Sequence, residues 1–325
     1  MLAGGAVSIM FPFAAKFSVH LAIVVRTFLG ALHAVAFPAM TGAWGAWAPP
    51  LERTRLNGIC VTGASIGTLI IFTLAGYIAD NLGWEAVFYV TGSLSLFWVL
   101  FWFLLVADTP DQHPRISQEE KLYIKTSIGE SPDLDRKNLV TPWKDILTSV
   151  PVWGIVLGHT ASNWGNYTLN QQLPTYLSNV LRYRLSFNGI LSSICYLCQT
   201  LICLVGSWIT DIIISKKMLN ILTIRKINTI LGLWVTGVCA VLAVASGCNA
   251  ELAVTLFALA AGLNNLSVPG CKTGPIDIAP DFAGIVFGVS NTVANIPGFM
   301  GPAIVGALLT DYSNTNQWYY VFSLG

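Results

Sequence analysis

Long apolar segments alternate with short polar ones along the chain. A helix needs about 20 apolar residues to cross the roughly 30 Å hydrocarbon core of a bilayer. By this criterion the pattern predicts nine spans, the first of them short, near residues 1–15, 20–44, 57–79, 86–107, 151–178, 187–211, 226–247, 251–275 and 283–310. The final residues, WYYVFSLG, begin another apolar segment. The predicted fold is therefore an all-α transmembrane bundle.

The composition agrees with a chain that lies in a bilayer. Its 325 residues are 54% hydrophobic and 10% charged, whereas soluble domains average roughly 25% charged residues. A net charge of +1 excludes nucleic-acid binding through a broad basic surface. Cys195 and Cys198 form a CxxC pair without a nearby histidine or second pair, so they are interpreted as packing residues. No metal or cofactor is predicted.

Basic residues are divided unequally between the two sets of loops. Twelve lie in loops that would share one side of the membrane, and three, Lys16, Arg182 and Arg184, lie on the other side. The excess predicts that the first side is cytoplasmic. The twelve are Arg53, Arg55, Arg115, Lys121, Lys125, Arg136, Lys137, Lys144, Lys216, Lys217, Arg225 and Lys226.

The longest hydrophilic segment divides the chain into two halves. Residues 1–107 are assigned to an N-terminal helical half, 108–150 to a cytoplasmic central loop and 151–325 to a C-terminal helical half. Within the loop, Ser117 followed by Glu120 resembles a capping box, which predicts a short amphipathic helix.

One predicted span carries an arginine and a histidine on a single face. Arg26 and His33 are seven residues apart, or two helical turns. A charge at the centre of the bilayer costs about 2.5–3.5 kcal/mol on insertion scales, so such residues usually face a polar cavity. Arg26 is interpreted as a bidentate anion contact, with snorkelling to the interface as the alternative. His33 is either a substrate contact or proton carrier, or a neutral core histidine.

A polar stripe runs along the predicted span 151–178. Its members recur at spacings of four, three and four residues, which place them on one helical face, and a tyrosine flanks them. Such side chains can bond neighbouring helices, but their number favours a water-filled substrate path. The residues are His159, Asn163, Asn166 and Asn170, with Tyr167 beside them.

The predicted interior holds positive or neutral ionisable groups. Lys272 lies in the broken segment VPGCKTGP, where it can snorkel, pair with Asp277 or face a cavity. Ser290 and Asn291 open a segment rich in helix breakers that is predicted to be a hinge or cavity wall. All sixteen acidic residues fall in loops or near span ends. A cavity whose ionisable groups are positive or neutral favours an anion.

Several separate motifs carry a family resemblance. They are GAWGAWAPPLERTRLNGICVTGASIGT at 42–68, GWEAVFYVTGSLSLFW at 83–98, DTPDQHPRISQEEKLYI at 108–124, NWGNYTLNQQLPTYL at 163–177 and IDIAPDFAGIVFGVSN at 276–291. With them the chain resembles the anion:cation symporter family of the major facilitator superfamily, in its sialin- or phosphate-transporter-like branch. The resemblance implies a bundle of twelve helices, of which the chain corresponds to helices three to eleven and the start of the twelfth.

The resemblance also implies roles for individual residues. Arg26 matches an arginine of the fourth family helix that contacts the substrate anion. His33 stands where that helix usually has a glutamate linked to proton coupling, and Ser162 stands where glutamate transporters have a second arginine. Lys272 replaces an asparagine that is common in the family. Members of the superfamily carry a GxxxD…(K/R) loop motif, associated with conformational change, in each half. Gly206, Asp211, Lys216 and Lys217 resemble its second copy, with one more residue between the glycine and the aspartate.

These observations predict a secondary active transporter and not an enzyme. An inorganic or organic anion, such as phosphate or a sialic-acid-like carboxylate, would cross the membrane by alternating access coupled to sodium or protons. The expected partners are that anion, the coupling cation and the lipid bilayer. The expected location is the plasma membrane or an endolysosomal or vesicle membrane. The alternative is a non-transporting membrane sensor or scaffold that keeps the fold.

Overall fold

The computed structural model describes a helical chain, without strands in the part described. The described residues are 1–129, 140–182, 185–247, 249–310 and 314–323. Arg136, Lys137 and Arg184, which entered the prediction of orientation, lie outside them.

The N-terminal half consists of five helices, and a connector with two short helices follows it. The five are α1 (Leu2–Phe17), α2 (Val19–Ala34), α3 (Ala36–Trp47), α4 (Arg53–Leu82) and α5 (Trp84–Leu105). The connector carries α6 (Gln118–Ile128) and α7 (Trp143–Thr148).

The C-terminal half contains nine described α-helices. They are α8 (Val150–Asn179), α9 (Leu185–Ser215), α10 (Ile221–Ile230), α11 (Thr236–Ala245), α12 (Ala250–Asn264), α13 (Gly274–Ile278), α14 (Ala283–Ala294), α15 (Ile296–Leu308) and α16 (Thr315–Ser323). A π-helical turn, Leu231–Val235, joins α10 to α11. Two short 3-10 turns, Asn265–Ser267 and Cys271–Thr273, separate α12 from α13.

Seven helical segments of the described chain are long and apolar enough to cross a membrane, so the predicted number of nine is not confirmed. The seven are Val19–Trp47, Arg53–Ile71, Trp84–Leu105, Ser193–Ser215, Ile221–Ala245, Ala250–Ile278 and Pro280–Leu308. The other two predicted spans correspond to α1 and α8. Helix α1 is apolar but has only 16 residues. Helix α8 has 30 residues, and its amides and histidine lower its hydropathy.

The core of the C-terminal half is aromatic where α8, α12 and α16 meet. The Tyr176 ring centroid lies 5.3 Å from that of Phe257 and 5.4 Å from that of Trp318. Phe322 lies 5.0 Å from Phe257 by the same measure. All four side chains are buried. Edge-to-face pairs of this kind contribute about 0.5–1.5 kcal/mol beyond the area that they bury.

The two halves meet at one end of the bundle. We call the end that carries residues 48–52, 106–117 and 279–282 the loop end. There α4 packs against α9, and α3 packs against α14. A Cβ at Gly284 would lie 2.8 Å from the Pro38 carbonyl oxygen, which shows how closely the two backbones approach. Near the same end, a Cβ at Gly58 would overlap with Ser207 Oγ, which shows the close approach of α4 to α9.

The connector is held against the loop end by side-chain contacts. Ser117 Oγ accepts a hydrogen bond from the Glu120 backbone N–H at 3.1 Å, as expected for the N-cap of α6. Asp111 forms ion pairs with Lys125 at 2.8 Å and Lys121 at 2.9 Å. Hydrogen bonds from Lys125 and then Lys121 lower the pKa of the Asp111 carboxyl. These ion pairs join α6 to the segment that precedes it.

Candidate functional site

Arg26 and His33 face α1, in agreement with their helical spacing. The Arg26 guanidinium carbon lies 4.2 Å from the Phe11 ring centroid and 4.9 Å from that of Phe88 on α5. The His33 ring packs beside Gly4, where a Cβ would lie 2.7 Å from His33 Nε2. Arg26 remains exposed. No hydrogen bond or ion pair in the described chain joins Arg26 to α8, so the structure does not bring these two predicted regions together.

The polar stripe of α8 divides into two faces. One face meets α14 and α15: His159 Nδ1 lies 3.2 Å from Ser290 Oγ, and Asn163 Nδ2 donates to the Ala294 carbonyl at 3.0 Å. On the same face, Tyr167 donates to Asn295 Oδ1 at 2.6 Å.

The second face of the stripe turns toward α9. Asn170 Nδ2 donates to Asn166 Oδ1 at 2.7 Å, and Gln199 Nε2 donates to Asn170 Oδ1 at 3.0 Å. These amides form hydrogen bonds within the C-terminal half. For the stripe as a whole, hydrogen bonding between neighbouring helices was the alternative to a substrate path. Ser162 is buried, and its hydroxyl lies 2.7 Å from that of Ser267. Position 162 therefore belongs to the packing of α8 against the break after α12.

Lys272 reaches the first face of α8. Its Nζ donates to Asn163 Oδ1 at 3.2 Å. Asp277, the alternative partner considered from the sequence, instead pairs with Arg225 Nε at 2.8 Å. Asn291 is half-buried, and its backbone carbonyl accepts from Asn295 Nδ2 at 2.7 Å. His159, Asn163, Lys272 and Ser290 thus form one cluster, which we call the C-half cluster.

The predicted loop motif lies at the contact between the halves. Asp211 Oδ2 accepts from the Arg55 backbone N–H at 2.6 Å, near the N-terminus of α4, where a negative charge is stabilised by the helix dipole. A Cβ at Gly206 would lie 2.5 Å from Leu266 Cδ2, so glycine allows α9 to approach that residue. Lys216 and Lys217 are exposed in the turn that ends α9.

The sequence analysis missed a second polar network beside this motif. Arg225 Nη1 donates to Thr54 Oγ1 at 3.0 Å and to the Pro269 carbonyl at 2.6 Å, while its Nε pairs with Asp277. Arg53 reaches from the other half, 3.9 Å from Asp277. We call these five residues the gate network. The sequence analysis used Arg53 and Arg225 only to predict the orientation of the chain in the membrane. The position of Arg225 in the amphipathic segment ILTIRKINTI was a reason to expect a buried partner for it.

A comparison with known families decides the classification of the fold. The pattern described as Major Facilitator Superfamily matches residues 1–302. The chain belongs to this superfamily. A solved structure of a superfamily transporter, FucP in the outward conformation, has the same fold, with a TM-score of 0.60 at 14% identity over 99% of this chain and 79% of that one.

Curated relatives confirm the resemblance to the anion:cation symporter family. The chain is 39% identical to human sialin over 320 residues, which is 98% of this chain and 64% of that protein. It is 36% identical to bovine vesicular glutamate transporter 2 over 317 residues, covering 97% of this chain and 54% of that protein. The chain therefore spans between about half and two thirds of the length of these relatives.

Proposed function

We propose that this protein is part of a secondary active transporter that moves an organic carboxylate across a membrane by alternating access. The observation that carries the proposal is the position of the contacts between the halves. In the described chain, the hydrogen bonds and ion pairs that join the halves lie at the loop end, among them Asp211 to Arg55 and Arg225 to Thr54. Contacts gathered at one end suit two halves that rock about a central site.

The charge of the interior supports an anion as substrate. Arg26, His33, His159 and Lys272 are the ionisable groups that the predicted spans carry away from their ends. Asp211 and Asp277 lie at the loop end and already have partners. An interior with positive groups and no carboxylate attracts an anion electrostatically.

The relatives favour a carboxylate over inorganic phosphate within that class. Sialin and vesicular glutamate transporter 2 are among the relatives of the chain, and the name of the second gives a carboxylate as its substrate. Arg26 would contact the anion from the N-terminal half, with His33 beside it, and the C-half cluster with Asn166, Tyr167 and Asn170 would provide the other wall. Ser290 and Asn291 would line the opposing helix. The coupling ion would be sodium or a proton, and the loop end would face the cytoplasm.

The membrane in question would be the plasma membrane or that of an endolysosome or vesicle. The fold belongs to membrane proteins with several spans, and the expected orientation follows from the basic residues of the loops. The expected division remains that of residues 1–107, 108–150 and 151–325, with the central segment cytoplasmic.

Uptake into proteoliposomes tests the proposal. The protein expressed from its full-length transcript is reconstituted, and uptake of labelled N-acetylneuraminate, glutamate and inorganic phosphate is measured under inward sodium or proton gradients. We expect saturable uptake of a carboxylate. Arg26→Ala should lower it about tenfold or more, since a charge-assisted hydrogen bond is worth about 1.5–3 kcal/mol, whereas Arg115→Ala on the exposed connector should not. No flux of any probe under either gradient would refute transport and favour the sensor or scaffold alternative.

A further inference from the structure

Lys272 is an interior cation whose charge no carboxylate of the described chain balances. Its ammonium can donate three hydrogen bonds, and the structure gives it one, to Asn163 Oδ1 at 3.2 Å. Asp277, five residues along the chain, is held by Arg225 at 2.8 Å and approached by Arg53 at 3.9 Å. Lys272 is half-buried, and a charge that is partly removed from water without a carboxylate partner is unfavourable. Lys272 therefore has both the donors and the charge to bind an anion.

The side chains around Lys272 are fixed by their own hydrogen bonds. Asn163 Nδ2 donates to the Ala294 carbonyl at 3.0 Å, which turns Asn163 Oδ1 toward the lysine. Ser290 donates its one hydroxyl hydrogen to the Phe287 carbonyl at 2.9 Å, so its oxygen accepts from His159 Nδ1. In this tautomer His159 Nε2 has no described partner. The lysine thus stands in a preorganised polar setting.

The turn that carries Lys272 also touches the other half of the protein. Lys272 lies in the 3-10 turn Cys271–Thr273, where the span is not α-helical. Thr273, the next residue, donates to the Val268 carbonyl at 2.7 Å, and its Oγ1 accepts from Asn57 Nδ2 of α4 at 3.1 Å. One three-residue turn therefore holds both a free cation donor and a hydrogen bond between the halves.

We infer that Lys272 binds a single carboxylate group of the substrate and that the turn Cys271–Thr273 transmits its occupancy to the contact with Asn57. The inference rests on the proposed function and names the substrate group and the route of coupling. An ammonium is a compact point charge, whereas the guanidinium of Arg26 offers a planar fork. The two cations, one on each half, would then contact different parts of the same anion.

Binding to the detergent-solubilised full-length protein tests the first part without requiring transport. Thermal stabilisation is titrated with N-acetylneuraminate, glutamate and inorganic phosphate. Lys272→Gln should weaken the apparent affinity for the carboxylate at least tenfold, and Lys272→Arg should restore part of it. Lys226→Gln, an exposed lysine of the same half, should leave it unchanged. Equal affinity in Lys272→Gln and wild type, or a wild-type protein that neither carboxylate stabilises, would overturn the inference.

Chemical labelling provides a readout that needs no folded variant. Wild-type protein is treated with an amine-reactive reagent with and without the carboxylate, and modification is quantified by mass spectrometry. The anion should protect Lys272 severalfold and leave Lys226 unchanged. Equal labelling of Lys272 in both samples would contradict binding there.

A separate variant tests whether the turn Cys271–Thr273 transmits the occupancy of Lys272 to the contact with Asn57. Thr273→Val keeps the side-chain shape but removes the hydrogen bond with Asn57 and the one to the Val268 carbonyl. In wild type, the carboxylate should change the distance between the halves, which spin labels at the loop end measure. We expect Thr273→Val to bind the carboxylate but to show no such change in distance. A wild-type response in Thr273→Val would refute the coupling route. Binding without any flux would refute the proposed function alone, so the two failures are distinguishable.

Discussion

Replacing Gly284 by alanine should open the loop end. The alanine Cβ would lie 2.8 Å from the Pro38 carbonyl oxygen and 3.3 Å from the Gly42 Cα, and both partners are backbone atoms of the other half. Ordinary contacts of a Cβ begin near 3.4 Å, so α3 and α14 must separate by about 0.6 Å at this point. Backbone atoms of two helices cannot relieve the overlap by changing a rotamer, and the halves must move as bodies.

The cost of the overlap sets the expected shift in population. Extra methyl groups in tightly packed sites typically cost about 1–3 kcal/mol. The overlap exists only when the halves are in contact. It therefore raises the free energy of the state with a closed loop end and leaves that of the open state unchanged. A differential of that size changes the ratio of open to closed molecules by about 5–150-fold.

Distances between spin labels at Leu51 and Lys226, both exposed at the loop end, measure this shift. Gly42→Ala is the matched control, because its Cβ would lie 3.7 Å from the Gly284 Cα in ordinary contact. Gly63→Ala, whose Cβ would meet nothing within 4 Å, controls for the gain in helix propensity. If Gly284→Ala gives the same distance distribution as both controls, the assignment of this glycine contact to the closed state is wrong.

Three further perturbations follow from the structure. Arg225→Gln should destabilise the protein by about 2–4 kcal/mol, because it leaves the Asp277 carboxylate with Arg53 alone at 3.9 Å. Thermal unfolding measures this loss of stability, which should be smaller in Arg225→Lys. Phe257→Ala should cost about 3–5 kcal/mol, because the fully buried ring contacts Tyr176 and Phe322; a melting temperature equal to that of wild type would contradict it. The ion pairs of Asp111 should persist as the pH falls from 7 to 5 and be lost only as the pH falls through its lowered pKa, below the usual value of about 3.9. Hydrogen exchange of residues 118–128 should show this, and Asp111→Asn should exchange faster than wild type above that pKa and at a similar rate below it.

Periodicity predicted the helices better than it predicted their surroundings. The face shared by Arg26 and His33 and the N-cap at Ser117 follow from local spacing, and both are present in the structure. The division of the α8 stripe did not follow, because Asn163 and Asn170 differ only in which neighbouring helix is opposite them. The breaks at Leu231–Val235 and Cys271–Thr273 also arise from packing between helices. A Cβ at Gly232, for example, would lie 2.8 Å from the Ser267 backbone nitrogen.

The gate network suits a contact that must break and reform. Its strong ion pair, between Arg225 Nε and Asp277 at 2.8 Å, lies within the C-terminal half and survives separation. The contacts of Arg225 and Arg53 that cross between the halves are longer: Arg225 to Thr54 at 3.0 Å, Arg53 to the Ile276 carbonyl at 3.3 Å, and the 3.9 Å approach of Arg53 to Asp277. A hydrogen bond to a neutral acceptor such as Thr54 or the Ile276 carbonyl is worth about 0.5–1.5 kcal/mol. Opening would cost these bonds and leave Asp277 with Arg225, but it would also separate the buried Asp211 carboxylate from the Arg55 N–H, which it accepts at 2.6 Å. The bond of Asp211 is therefore the main contact of the loop end that alternation must break and reform.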